Sequence, residues 1–327
     1  MSEAMPRLSA VLSTIGLILA ALVAGCSSTG DAASTPQATV AEAPPPTTAS
    51  TSTTAPVEPT TTLAPTAPPI EPPPPIAAGR DGWELVWADE FEGEQIDRSN
   101  WTYDIGGWGW GNGEAQYYTD AEQNSRVENG LLVIEARFER FDDNYYTSAR
   151  LKTRGLREFQ YGRVEARMLV PTGAGTWPAF WMLGSTFEEE AADEANRWPF
   201  VGEIDIMEHL GREPDLIMGT IHGPGYAGAL GLTKWNRREA DIAEDWHTYA
   251  IEWDENGITW FFDDEPYNTF TRESVGTREW VFDKEFFLIV NLALGGQFPG
   301  PIGLDVEFPR TLHLDYVRVY QRPGSET

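Results

Sequence analysis

Gly202-Glu203-Ile204-Asp205-Ile206-Met207-Glu208-His209 interleaves three acids with large apolar residues, and its two β-branched isoleucines favour a strand. Side chains alternate along a strand, so Glu203 and Asp205 share one face and Ile204 and Ile206 the other. Glu208 breaks that parity, because five positions separate it from Glu203. One extra residue in a β-bulge near Ile206-Met207 restores it. All three carboxyls then project from one face, with Ile204 and one of Ile206 or Met207 turned into a core. Crowded carboxyls shift one another's proton affinity. That suits a site where a catalytic acid holds its proton near neutrality while a neighbouring nucleophile is ionised. The plainer alternatives are a solvated strand face or a cation site.

Aromatic residues gather around this segment. In Gly106-Gly107-Trp108-Gly109-Trp110-Gly111-Asn112-Gly113-Glu114 four of the first six residues are glycine, which places both indoles on a permissive loop. Flat rings on a loop suit the apolar face of a sugar. Trp177-Pro178-Ala179-Phe180-Trp181-Met182 precedes the acids, and either indole could floor a pocket, core packing being the alternative for each. His222, 14 residues after Glu208, is spaced for the adjacent antiparallel strand, where it would bond a carboxylate or a substrate hydroxyl or serve only as a structural histidine. The four histidines lack zinc spacing, and no Gly-x-Ser-x-Gly elbow is present.

The elements that must position these residues read as short strands. Trp83 to Phe91, Ile96 to Tyr103, Leu131 to Phe138, Arg163 to Val170, Ile258 to Asp263 and Thr311 to Tyr320 are each expected to be extended. Val164, Ala166 and Met168 fall on one face, as do Tyr249, Ile251 and Trp253 in the strand before the turn Asp254-Glu255-Asn256-Gly257. Phe286 to Leu294 is nearly all apolar, as in a strand buried on both faces. Such spacing, with glycine and proline punctuation and few helical periods, predicts an all-β antiparallel sandwich or jelly roll.

The chain has 327 residues and a net charge of −28, which argues against nucleic acid as a partner because phosphates would be repelled. Arg7 precedes an apolar run from Leu8 to Ala24 that ends in Val23-Ala24-Gly25-Cys26. This is an export signal, and its ending resembles the bacterial lipoprotein signal in which the cysteine receives lipid. The alternative is an ordinary cleaved signal and a secreted protein. Cys26 is the only cysteine, so no internal disulfide exists. Residues 27–79 contain 13 Pro and 12 Thr but no Trp, Phe or Tyr, and cannot build a core. An extended Pro-rich stalk at roughly 3.1 Å per residue would reach on the order of 100 Å from a surface. All 13 tryptophans lie in the remaining folded domain, residues 80–322, which a short tail, 323–327, follows.

Taken together, the Glu-Ile-Asp-Ile-Met-Glu hexad, Trp-Pro-Ala-Phe-Trp-Met before it and Trp246-His247-Thr248-Tyr249-Ala250-Ile251-Glu252-Trp253 after it resemble glycoside hydrolase family 16. Asp89-Glu90-Phe91, the run Asn112 to Thr119, Asn291 to Gly296 and Asp315 to Tyr320 are similar to the endo-1,3-β-glucanase, or laminarinase, subgroup. The resemblance implies a retaining endo-hydrolase of β-1,3-glucans. Mixed-linkage β-1,3-1,4-glucan or an algal galactan is the alternative substrate, and a non-catalytic glucan-binding module the alternative class. It implies Glu203 as nucleophile, Glu208 as acid/base and Asp205 as the residue that tunes them. Trp177, Trp181 and His222 match cleft residues, and Asn112, Glu114 and Arg150 match sugar contacts. Gln297 stands where asparagine is commoner, and Thr186 to Arg197 is an acidic insertion-like loop; both could alter the ends of the cleft. No cofactor is implied for the chemistry, but a structural calcium is, held by backbone oxygens and one aspartate at Glu90, Gly130 and Asp315. The partners expected are a β-glucan and, through lipid alone, a membrane, with the chain a monomer.

Overall fold

The computed structural model describes residues 82–324. Cys26, the expected export signal, the expected Pro/Thr-rich stalk and the last residues of the tail lie outside the described residues. The strands in chain order are β1 (Glu84–Asp89), β2 (Thr102–Tyr103), β3 (Gln116–Tyr118), β4 (Ser125–Glu128), β5 (Leu131–Phe141), β6 (Asn144–Ser148), β7 (Arg150–Lys152), β8 (Glu158–Phe159) and β9 (Gly162–Leu169). They continue as β10 (Thr176–Gly184), β11 (Glu203–His209), β12 (Leu216–His222), β13 (Leu232–Arg237), β14 (His247–Asp254), β15 (Gly257–Phe262), β16 (Glu265–Thr271), β17 (Phe286–Leu294) and β18 (Arg310–Gln321). Helical structure among the described residues is limited to four 3-10 turns. The expectation of an all-β sandwich is met.

Two sheets share the core. One runs β13-β12-β11-β10-β17-β7-β2 and the other β16-β15-β14-β9-β18-β5-β6-β3. Val164, Ala166 and Met168 of β9 meet Ile204, Ile217, Leu288 and Val290 of the facing sheet in one buried cluster. Strand β17 is buried along its whole length for two different reasons. Phe286, Leu288, Val290, Leu292 and Leu294 face the main core. On the opposite face, Phe287 and Ile289 join Leu183 and Val201 in a second cluster, against which Phe187 of the acidic insertion packs. The insertion therefore lies on the outer face of the first sheet and closes part of it.

Two sequence expectations need correction. The stretch from Ile96 is extended only at Thr102–Tyr103. The Asp97 carboxylate accepts the Ser99 N–H at 2.8 Å, and the Asp97 carbonyl accepts the N–H groups of Asn100 and Trp101, so the chain turns first. At the bulge, Ile206 and Met207 both enter the core, not one of them. Between Asp205 and Glu208, β11 spends two residues where β12 spends one, and β10 shows the matching slip between Phe180 and Trp181. The Asp205 carbonyl at this break is bonded from across the core, accepting the Trp260 indole N–H at 2.8 Å. Left unpaired, such a buried carbonyl would cost about 1–3 kcal/mol.

Candidate active site

The bulge sets the geometry. Register pairs Glu203 with His222, Asp205 with Thr220 and Glu208 with Met218 on β12, and Asp205 with Trp181 on β10. Ile217 and Ile221 belong to the core, so the alternate residues of β12 face the same side as the acids. All three acids are buried or nearly so.

Each carboxylate has named partners. Glu203 Oε2 accepts the Trp198 indole N–H at 2.7 Å. Glu208 Oε1 accepts the Trp177 N–H at 3.1 Å, and its Oε2 accepts the Thr220 hydroxyl at 3.2 Å. His222 Nε2 stands 3.3 Å from Asp205 Oδ2 and 3.6 Å from Glu203 Oε1. The same ring lies against Gly231, where a Cβ would fall 2.3 Å from His222 Cε1. Trp198 also approaches it, with 6.1 Å between ring centroids.

Burial, then repulsion from Asp205, raises Glu203 to about 7, while His222, the Trp198 hydrogen bond and Arg150 pull it back. The same two causes raise Glu208 to about 8, against the opposing pull of His222. Burial lowers His222, but the facing carboxylates outweigh it and raise the ring to about 9. Both glutamates therefore hold a proton more tightly than a free carboxyl does, and the imidazole holds its own more tightly than a free ring. Glu203, Asp205 and His222 also bring donor atoms within 4.8 Å of one another, close enough for a cation. A protonated His222 meets the same two carboxylates.

The wall toward β7 is aromatic and charged. The Arg150 guanidinium lies 4.9 Å from the ring centre of Trp110 and 4.7 Å from that of Trp181, with Asp104 at 2.9 Å. Trp181 donates its N–H to Asn291 Oδ1 at 2.8 Å, Asn291 Nδ2 donates to Tyr118 Oη at 3.2 Å, and Tyr118 donates to Glu114 at 3.2 Å. Glu114 is buried beneath the wall, and Gln116 donates to it at 2.6 Å. Asn112 Nδ2 lies 3.4 Å from Glu114 Oε1, and its carbonyl accepts the Gln297 backbone N–H at 2.8 Å. Trp108 stacks 4.0 Å from Trp110 and is 59% exposed. Gly106 makes room for it, since a Cβ there would lie 1.9 Å from the Trp108 ring.

Sequence reading missed Trp198, Thr220, Asn291 and Tyr118. Trp198 sits just past the acidic insertion and five residues before Glu203, a range no strand pattern covers. Thr220 had a signal: it precedes His222 by two residues and shares its face.

At the proposed calcium position, β1 and β5 pair with the same edge of β18 and leave a gap. Asp89 is opposite Val317 and Leu132 opposite Leu314, so Glu90 and Gly130 flank Asp315. The Glu90 carboxylate is engaged by Arg318 through two 2.8 Å contacts, and one Asp315 oxygen by Arg167 at 2.8 Å. Backbone carbonyls and the other Asp315 oxygen are the donors left, a hard-oxygen set that fits the ion.

Paired buried carboxylates at unequal proton affinity, in a cleft walled by indoles on a β-sandwich, define a glycoside hydrolase. Residues 112–297 match the glycosyl hydrolases family 16, and the chain belongs to that family. A β-glucanase of Rhodothermus marinus is 48% identical over 248 residues, covering 73% of this chain and 85% of that protein. An endo-β-1,3-glucanase structure from Pyrococcus furiosus shows 46% identity and a TM-score of 0.69, over 73% of this chain and 94% of that one. The laminarinase catalytic domain of Thermotoga maritima MSB8 gives 44% identity and a TM-score of 0.69, over 73% and 98%.

Proposed function

We propose that this protein cleaves internal β-1,3-glucosidic bonds of glucans such as laminarin with retention of anomeric configuration. The observation that carries this reading is the bulged strand, which puts Glu203 and Glu208 on one face with different hydrogen-bond donors on each. Glu203 attacks the anomeric carbon while Glu208 protonates the departing glycosidic oxygen. Glu208, now ionised, takes a proton from the water that breaks the glycosyl ester and returns Glu203 to its carboxylate. Asp205 and His222 hold the charge balance between them. The solved endo-β-1,3-glucanase and laminarinase to which the chain is similar support the substrate class. Incubation with laminarin, barley β-glucan, lichenan, agarose and carrageenan, followed by NMR of the first sugar released, tests it. Release of a β-anomer from laminarin is expected; an initial α-anomer means inversion and removes the nucleophile assignment.

Glu90, Gly130 and Asp315 would hold a calcium ion that ties β1 and β5 to β18 and supplies no catalytic chemistry. The protein is exported and lipid-anchored at Cys26, with residues 27–79 as a stalk, a reading supported by Val23-Ala24-Gly25-Cys26 and the Pro/Thr composition. Mass spectrometry of the mature amino terminus tests it, and an unlipidated terminus at another residue removes the anchor.

A further inference from the structure

The cleft wall toward β7 is crowded with Trp108, Trp110, Arg150 and Trp181, whereas on the opposite side, beyond His222 and Trp198, the edge strand β13 carries the exposed Trp235. Register places Trp235 of β13 beside Met218 of β12, and Met218 beside Glu208. The face is fixed independently: the Thr220 hydroxyl bonds Glu208 at 3.2 Å and Thr233 at 3.1 Å, so Thr233 faces the acids, and Trp235 is two residues further along the same strand. Trp235 is 50% exposed, and no aromatic partner engages its ring among the described residues. Two strand spacings, roughly 10 Å, separate it from the acid strand, the reach of a sugar or two beyond the bond that is cut.

We infer that Trp235 is a stacking platform for the sugar on the leaving-group side of the cleft, and that the same site receives the acceptor when the glycosyl group passes to a second sugar instead of water. This rests on the glycosidase reading above. In a retaining reaction the glycosyl group stays esterified to Glu203 while the other fragment departs. A wall with many contacts suits the retained part, and one exposed indole suits a fragment that must leave. In transfer, an acceptor hydroxyl replaces water: its oxygen bonds the anomeric carbon, the ester to Glu203 breaks, and the proton goes to Glu208. An indole at β13 would hold that acceptor by its apolar face.

The test compares two substrates on the full chain: a long β-1,3-gluco-oligosaccharide, and a β-laminaribiosyl fluoride whose leaving group occupies no sugar site. Trp235→Ala should lower kcat/KM for the oligosaccharide roughly threefold to tenfold, mainly through KM, the size of one aromatic contact. Hydrolysis of the fluoride should be unchanged, and transfer products formed with added laminaribiose should fall by the same factor. Trp235→Tyr should restore both. An equal loss on the fluoride means the residue acts on the retained side or on folding, and no loss on either substrate means the indole meets no sugar; each result overturns the inference. If the unaltered protein cleaves the fluoride but no β-1,3-glucan, the activity reading fails, and this assignment with it.

Discussion

Replacing His222 by glutamine tests the charge arrangement directly, because it removes the cation while keeping a donor toward Asp205. The imidazole Nε2 lies 3.6 Å from Glu203 Oε1, and both side chains are less than one fifth exposed. Coulomb's law at that separation gives about 1 kcal/mol in water and about 5 kcal/mol at the effective permittivity near a protein surface. At 1.36 kcal/mol per pKa unit this is ~1–3 units. The sign follows from the chemistry: a neighbouring cation favours ionised Glu203, so its loss raises Glu203 above about 7. Glu208 also feels His222 and rises above about 8. Both limbs of the kcat/KM profile should therefore move to higher pH together, as macroscopic properties of the cluster. At pH 6 the rate on laminarin should fall at least about tenfold, with much of it recovered at alkaline pH. A variant that loses rate at every pH with its limbs unmoved would show that His222 acts by shape or contact, and the electrostatic argument would be refuted.

Trp198→Phe keeps the ring but removes the N–H that Glu203 Oε2 accepts, and should cut kcat about tenfold while raising the acid limb, read in the same pH series. Trp260→Phe orphans the Asp205 carbonyl at the bulge and should cost about 1–3 kcal/mol in denaturant unfolding, with activity falling alongside. Glu208 binds its proton more tightly folded than unfolded, so its contribution to stability is lost as pH rises from about 4.5 through about 8. Glu208→Gln should accordingly have a higher Tm than the unaltered protein at pH 8, and a flatter dependence of Tm on pH. Calcium should raise Tm and chelator lower it by mass action, with a flat Tm in both refuting the site at Asp315.

How much of this was legible in the sequence depends on how local each cause is. The alternation of Val164, Ala166 and Met168, or of Tyr249, Ile251 and Trp253, is dictated by neighbours two residues apart, and the sandwich follows from it. The bulge was legible for the same reason, as a parity error between Glu203 and Glu208 that only one extra residue repairs. What no pattern reveals is the second face of β17, where Phe287 and Ile289 look like core yet lie under the acidic insertion. A continuous apolar run says that both faces are covered, not by what.

The partners of the acids sit on a loop and on neighbouring strands, and no strand period links them to the acids they hold. Glu203 takes its N–H from a residue in the loop ahead of its own strand, Glu208 from β10 and β12, and the Asp205 carbonyl from β15. A carboxyl raised to about 8 needs burial, and burial is safe for a polar group only when donors meet it. Besides the Thr220 hydroxyl the donors here are indoles, which also supply the apolar surface that buries the acids. Tryptophan is therefore used twice, as wall and as N–H donor, and its sequence signature is identical to that of a core residue. Trp177, Trp198 and Trp260 read alike in the chain; only the register of the sheets separates the residue that holds Glu208 from the one that holds Glu203 and the one that pins the bulge.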